Sequence, residues 1–402
     1  MKTIMKKRIW TIILVCIALA GVLCLTNYCL KQQNKKRIEK IEKNADSWKH
    51  NAVTAPKAGS LKAGGFVTIS WNSAEVMGNV LGYKVYVDDK MVAETDADTL
   101  TYEYHTTTVS AHDVYIEADL SKEAKVYSDI TTFYVNKKGL CVNKDMAQNV
   151  EAPDWGVSWY YNWSMEAFKY TSFQDLEYVP MMWKSQDSDQ KTISRFSKWG
   201  YKYVLAFNEP DLSEQSCIDV DTAVEGMKAF MNQNLLVGAP ATALCPPWSK
   251  NWFQPFMEKM KYYGMDVDFI PIHHYWNWWT DEGADAFIKL VKDTYEMYHK
   301  PIWITEFAIS GDPGQNDEQI QSVIGYMKRV IKQLDQLDFV ERYAWFSFNP
   351  HDKRNGGSAL MRYYEGTITK LGYLYQELGM PKGYGDKDAV CIKTNEKKDI
   401  IR

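Results

Sequence analysis

Two glutamates close apolar runs in this 402-residue sequence: Glu209 follows Val204-Leu205-Ala206-Phe207-Asn208, and Glu306 follows Ile302-Trp303-Ile304-Thr305. A carboxylate at the end of an apolar strand is costly unless it pairs with a Lys or Arg, or the strand end opens into a polar site. Two carboxyls about 5–5.5 Å apart are what retaining glycoside hydrolysis requires, one as acid/base and the other as nucleophile. Tryptophan is placed to match: twelve of the 15 Trp lie between Trp155 and Trp345. Trp159, Trp163, Trp183, Trp276, Trp278, Trp279 and Trp345 fall at expected strand ends. Core tryptophans should scatter along strands and helices. These crowd the face where a site would form, so stacking against sugar rings is the leading reading.

Other chemistries find little support. No Gly-x-Ser-x-Gly elbow, P-loop, Gly-x-Gly-x-x-Gly or His-Glu-x-x-His occurs. Seven His, with the adjacent His273 and His274 on opposite faces of a strand, predict no metal site, and no cofactor is expected. With 47 Lys+Arg against 51 Asp+Glu, the net charge of −4 gives no electrostatic reason to expect nucleic acid. Asn162-Trp163-Ser164 is a formal glycosylation sequon inside an expected substrate loop.

The elements that must position these residues are legible as four changes of pattern. Residues 1–30 combine Lys2, Lys6, Lys7 and Arg8 with an uncharged stretch from Ile9 to Leu30. At 1.5 Å per residue that stretch spans a ~30 Å hydrocarbon core, which predicts a transmembrane signal anchor. The remainder is then extracytoplasmic, anchored to the cell membrane or secreted if the segment is cleaved. Residues 31–52 are basic and read as a linker. From 53 to 137 the apolar period is two, as in Tyr83-Lys84-Val85-Tyr86-Val87, which predicts a small all-β sandwich. From 150 to 383 short apolar strands alternate with helical patterns, which predicts an α/β fold with a parallel sheet, of a length that suits a (β/α)8 TIM barrel. Seven strands are read where eight are needed, and the eighth is expected to be short and to lie before Tyr203. Residues 384–402 read as a frayed polar tail.

The sandwich segment resembles a fibronectin type III module through its early strand Trp71, the Gly82–Val87 strand and the Asp88-Asp89-Lys90 turn. The segment beyond it resembles clan A of the glycoside hydrolases, and within it family 128, the "glycosyl hydrolase catalytic core" β-1,3-glucanases. The residues that carry this are Trp159-Tyr160-Tyr161-Asn162-Trp163, Val179-Pro180-Met181-Met182-Trp183, Asn208-Glu209-Pro210-Asp211, His273-His274-Tyr275, Thr305-Glu306-Phe307 and Tyr343-Ala344-Trp345-Phe346. The resemblance implies an endo-type hydrolase of β-glucan, with xylan or mannan as alternative substrates. A non-catalytic glycan-binding surface protein on the same scaffold is the rival from another class. It implies that Glu209 protonates the leaving glycosidic oxygen and Glu306 attacks the anomeric carbon. Asn208 would bind the 2-hydroxyl, Tyr275 would bond Glu306, His273 would wall the sugar site and Trp345 would form its floor. Trp159, Tyr161, Trp183 and Trp276 complete the expected substrate surface, and His274 is read as structural. A polysaccharide partner, membrane contact through the N-terminal helix and a monomeric state follow from the same reading. Cys217 and Cys245 follow adjacent strands on one face, and a disulfide between them is expected.

Overall fold

A computed structural model describes residues 2–121, 124–311, 316–352, 354–362, 366–397 and 400–401, with side chains described from residue 18 onward and not at 121, 152, 153, 187, 400 or 401. The N-terminal segment is one helix, Lys2–Asn51, so the expected break between anchor and linker does not occur. Its last turns are amphipathic: Ile41, Ala45 and Trp48, spaced four and three apart, are buried against the sandwich. Trp48 Nε1 donates to Asn72 O at 2.9 Å. The basic linker is therefore a packed helix end, not a free spacer. Among the described residues no helix is long and apolar enough to cross a membrane. The expected span Ile9–Leu30 lies partly outside those whose side chains are described.

Two sheets follow. Val53–Ala55, Gly65–Trp71 and Thr101–Thr106 form a three-stranded antiparallel sheet. The second runs in the order Leu61–Ala63, Ile130–Asn136, Ser110–Ser121, Gly82–Val87, Lys90–Thr95. Alternation drives the packing: Val67, Ile69 and Trp71 from one sheet meet Val85, Val87, Val114 and Ile116 from the other. The C-terminal segment is not frayed. Ile392–Lys393 pairs antiparallel with Ile130–Asn136, and Ile400–Ile401 with Ala124–Tyr127.

Among the described residues, the α/β domain contains eight parallel strands: β1 (Lys138–Cys141), β2 (Trp159–Tyr161), β3 (Glu177–Tyr178), β4 (Tyr203–Val204), β5 (Leu236–Val237), β6 (Ile270–Trp276), β7 (Ile302–Ile309) and β8 (Val340–Phe346). Ladders join β1 to β2, β2 to β3, β4 to β5, β6 to β7, β7 to β8 and β8 to β1. Single parallel bridges, Met181 to Leu205 and Gly238 to Phe269, link β3 with β4 and β5 with β6. The missing eighth strand does precede Tyr203, but it is β1, ahead of Trp159 and before the expected start at 150. Counting from it, Glu209 follows β4 and Glu306 lies in β7.

Most of the longer helices begin where the sequence supplies an N-cap, Phe253–Tyr262 being an exception. Asp189, Asp219, Thr280, Asn316 and Thr369 each accept a hydrogen bond from a backbone N–H three residues on, ahead of Gln190–Lys198, Val220–Met227, Asp281–Tyr298, Asp317–Leu334 and Lys370–Glu377. Their apolar faces pack on outward-facing strand residues such as Ile272, Phe307 and Tyr343.

Candidate active site

Glu209 sits just past β4, buried to 8% exposure, with its backbone in the left-handed region at φ 41°. A non-glycine residue rarely takes that conformation, and such strain is held in place only where surrounding contacts fix it. Here Glu209 N donates to Ala241 O at 2.7 Å. Glu306 is buried within β7 at the point where its pairing with β6 and β8 shifts register.

His273 lies between the two carboxylates and is fully buried. Its Nδ1 is 3.0 Å from Glu209 Oε1, and its Nε2 is 3.4 Å from Glu306 Oε1 without a hydrogen bond to it. One oxygen or ring nitrogen from each of Glu209, His273 and Glu306 lies within 4.8 Å of the other two. Burial alone would lower the imidazole pKa, but the charges of Glu306 and Glu209 outweigh it and hold it above the ordinary histidine value.

Three donors converge on Glu306. Tyr161 OH and Trp163 Nε1 each donate to Oε1 at 2.7 Å, and Tyr275 OH donates to Oε2. Burial, then the Glu306 charge, pushes both tyrosine hydroxyls well above their usual range, so they remain donors. Together they stabilise negative charge on this carboxylate. Glu209, His273 and Glu306 offer ligand atoms close enough to hold a cation, yet the oxygens of Glu306 are already met by these donors. An imidazole spanning two carboxylates is itself the charge complement of the pair.

Asn208, 4% exposed, donates from Nδ2 to Gln215 Oε1 at 3.2 Å, and its buried Oδ1 has no partner. Trp183 adjoins it, its carbonyl accepting from Asn208 N at 3.2 Å.

The structure thus gathers Asn208, Glu209, His273, Tyr275, Glu306 and Tyr161 into one cluster, and it separates others. Trp345 is no sugar floor. It is fully buried, points away from the cluster towards the helices, donates from Nε1 to Ser358 O and packs edge-on against Phe307 at 5.1 Å. Side chains alternate along a strand, so Ala344 and Phe346 face inward and Phe346 stands 5.4 Å from the Tyr275 ring. Trp159 is also wholly buried. Its ring lies so close over β1 that a Cβ on Gly139 would meet it at 2.2 Å. Tyr161 holds Glu306 and exposes no face. Trp276 is half-buried on the far side of β6 from His273, 4.4 Å from His274 and 5.6 Å from Trp278. Trp278 is exposed at 45%. His274 stacks on Phe287, and burial pushes its pKa down to about 3.

The expected Cys217–Cys245 disulfide is absent. Cys217 is exposed, whereas Cys245 is a buried free thiol whose Sγ contacts His273 O at 3.2 Å and His274 Nδ1 at 3.3 Å. A small buried residue that donates weakly to the β6 backbone fits that position. Sequence reasoning left Gln215 and Phe346 without roles and read Trp163 as a stacking ring, not as a donor to Glu306. Strand parity would have found Phe346; the indole N–H of Trp163 arrives from a loop residue at φ 55° that no periodicity marks.

Residues 139–375, which begin one residue into β1 and end in the last helix, match the family described as glycosyl hydrolase catalytic core. The chain belongs to that family. Its catalytic-core region is similar to a crystal structure of a glycoside hydrolase family 128 subgroup I endo-β-1,3-glucanase from Amycolatopsis mediterranei in complex with laminarihexaose. The two are 28% identical with a TM-score of 0.54, covering 61% of this chain and 100% of that one. A subgroup II endo-β-1,3-glucanase from Sorangium cellulosum, 23% identical with a TM-score of 0.50 over 61% of this chain and 99% of that one, shares the fold. Among curated proteins, the alkali-sensitive linkage protein 1 of Schizosaccharomyces pombe is 30% identical over 199 residues, 48% of this chain. The match covers 34% of that relative, so the chain spans about a third of its length.

Proposed function

We propose that this chain hydrolyses β-1,3-glucan within the chain by a retaining double displacement. Glu306 attacks the anomeric carbon and forms a glycosyl–enzyme ester while Glu209 gives its proton to the departing glycosidic oxygen. Glu209 then takes a proton from water, the water oxygen bonds to the anomeric carbon, and the Glu306 carboxylate leaves. The observation that carries this is the approach of the two carboxylates, with oxygens within 4.8 Å of each other and of His273. Oxygens this near suit the short carboxyl separation of retaining enzymes better than the wider one of inverting enzymes. The β-1,3 linkage is drawn from the endo-β-1,3-glucanases to which the catalytic-core region is similar.

The same reading takes the eight parallel strands as a (β/α)8 barrel and the two-sheet unit as fibronectin type III-like, supported by the packing of a three-stranded antiparallel sheet on a larger second sheet. It places the hydrolase outside the cytoplasm, held by the N-terminal helix, an inference from the uncharged stretch Ile9 to Leu30 and its basic flank.

The test is product stereochemistry on a laminarin oligosaccharide followed by NMR. The newly formed reducing end should appear first as the β-anomer, and first appearance of the α-anomer would sink the retaining reading. Glu306→Gln should lose cleavage by at least about 10³-fold while still binding the oligosaccharide. Wild-type turnover in that variant would remove Glu306 from its role.

A further inference from the structure

The seam between the sandwich and the α/β domain encloses a groove of about 890 Å³. Phe66, Thr68, Gly200, Tyr201 and Lys202 line it and also line an adjoining cavity of about 550 Å³, so the two form one continuous trough. Its α/β wall is built from the N-terminal ends of strands: Glu177 opens β3, Lys202 precedes β4 and Leu236 opens β5. Glu209 and Glu306 sit towards the opposite, C-terminal ends.

Two aromatic rings stand open in this trough from facing walls. Trp199 caps the C-terminus of Gln190–Lys198, before Gly200 at φ 83°, and remains 49% exposed. Phe66, from the sandwich strand Gly65–Trp71, is 37% exposed. Tyr201 stands perpendicular to Trp199 at 6.1 Å. Large aromatic faces left open in a groove lined by both polar and apolar groups mark a binding surface. The charges balance: Lys57, Lys62 and Lys202 face Glu103, Asp175 and Glu177. That balance does not favour a phosphate-bearing or polycationic ligand. Hydroxyls and amides, among them Gln233, Asn234 and Ser60, whose buried Oγ has no partner, share the lining with aliphatic side chains such as Leu61 and Leu236. A neutral ligand with flat apolar faces and many hydroxyls is what this combination fits.

We propose that the seam is a second, non-catalytic site for a β-glucan chain, with Trp199 stacking on a sugar ring and Phe66 closing the opposite side. The identity of the ligand rests on the hydrolase reading above, and a polymeric substrate supplies chain long enough to engage both faces of one molecule.

The experiment measures retention of the full chain on insoluble curdlan, with Glu306→Gln present to stop turnover. Adding Trp199→Ala should weaken retention about fivefold, the loss expected for one stacked ring. In the otherwise unsubstituted chain, Trp199→Ala should cleave soluble laminaripentaose at the parental rate. Phe66→Ser repeats the test from the sandwich wall should the first variant melt early. Unchanged retention in both variants would overturn the proposal, as would an equal loss of laminaripentaose cleavage, which would tie Trp199 to the catalytic face. Failure of the unsubstituted chain to cleave laminaripentaose would instead defeat the hydrolase reading, whatever the retention shows.

Discussion

His273 decides how two buried carboxylates coexist. Like charges in close contact repel, and here a cation-forming ring lies in contact with both. The folded state raises its pKa above the unfolded value of about 6.5, so protonation favours folding. That contribution is fully present below about pH 6.5 and is lost as pH rises through the folded value. Replacing His273 by Gln should therefore cost most stability near pH 6, with the difference from wild type shrinking by pH 9. Urea unfolding at the two pH values measures it, and a difference independent of pH would show that the ring acts only by packing. At this scale the sequence was partly readable. The two glutamates announce themselves because a carboxylate at an apolar strand end is costly unless a polar site receives it, whereas Asn208, His273 and Tyr275 were reached through the family resemblance. Trp345 misled because its type was weighed ahead of its parity: Ala344 and Phe346 hold the inward positions, and a chemically suggestive ring went to the helix layer.

β1 shows why an element can escape the sequence. Its first residue and the one before it are Lys138 and Lys137, which no apolar-run rule assigns to a buried strand. Both are completely buried. Lys138 Nζ donates to the carbonyls of Tyr375, Gln376 and Leu378 at 2.5, 2.9 and 2.6 Å, at the C-terminal end of Lys370–Glu377. Lys137 Nζ does the same for Leu334, Asp335 and Leu337 at the end of Asp317–Leu334. Helix C-termini present unpaired carbonyls and a partial negative charge, so each ammonium closes one helix against the strand. Burial pulls the two pKa values down, to about 7 for Lys138 and about 8 for Lys137. Lys138→Met keeps most of the stem but removes three hydrogen bonds from buried carbonyls. It should destabilise by about 3 kcal/mol, a fall in Tm of roughly 6–12 °C for a domain of this size. A thermal melt within about 1 °C of wild type would show that the carbonyls find other partners. The amphipathic helices, by contrast, were legible because period, N-cap and length agree, as in Asp317–Leu334 with its Asn316–Gln319 capping box.

The sandwich is not a spacer hung from the catalytic core; it is docked on it through buried polar groups that no local pattern encodes. Arg342, in β8, is fully buried at the seam. Its guanidinium lies 4.1 Å from the Trp303 ring centroid and 4.4 Å from that of Tyr203. Nε donates to Gly64 O of the sandwich at 3.1 Å, and Nη2 to Glu177 at 2.9 Å. Beside it Glu341 accepts from Trp303 Nε1 and pairs with His105 of the sandwich, both at 2.8 Å. Tyr203 OH accepts from Phe66 N at 3.0 Å, and Thr107 Oγ1 donates to Asp338 O at 2.8 Å. The partners that meet across the seam are separated by more than 100 residues, which is why composition and period predicted both units and not the contacts between them. A desolvated cation held on two aromatic faces is worth more than an exposed pair, and its removal orphans a backbone carbonyl and breaks a buried ion pair. Arg342→Leu should therefore cost about 3 kcal/mol, concentrated at the seam. Calorimetry reads the consequence directly. The unsubstituted chain should unfold in one cooperative transition spanning sandwich and α/β domain, because each buries part of the other. In Arg342→Leu the sandwich should separate as its own, earlier transition while laminaripentaose cleavage at low temperature persists, since the carboxylates lie at the other end of the strands. A single transition at the parental temperature would mean that the remaining contacts across the seam, from Tyr203, Thr107 and Glu341, suffice to couple the two units.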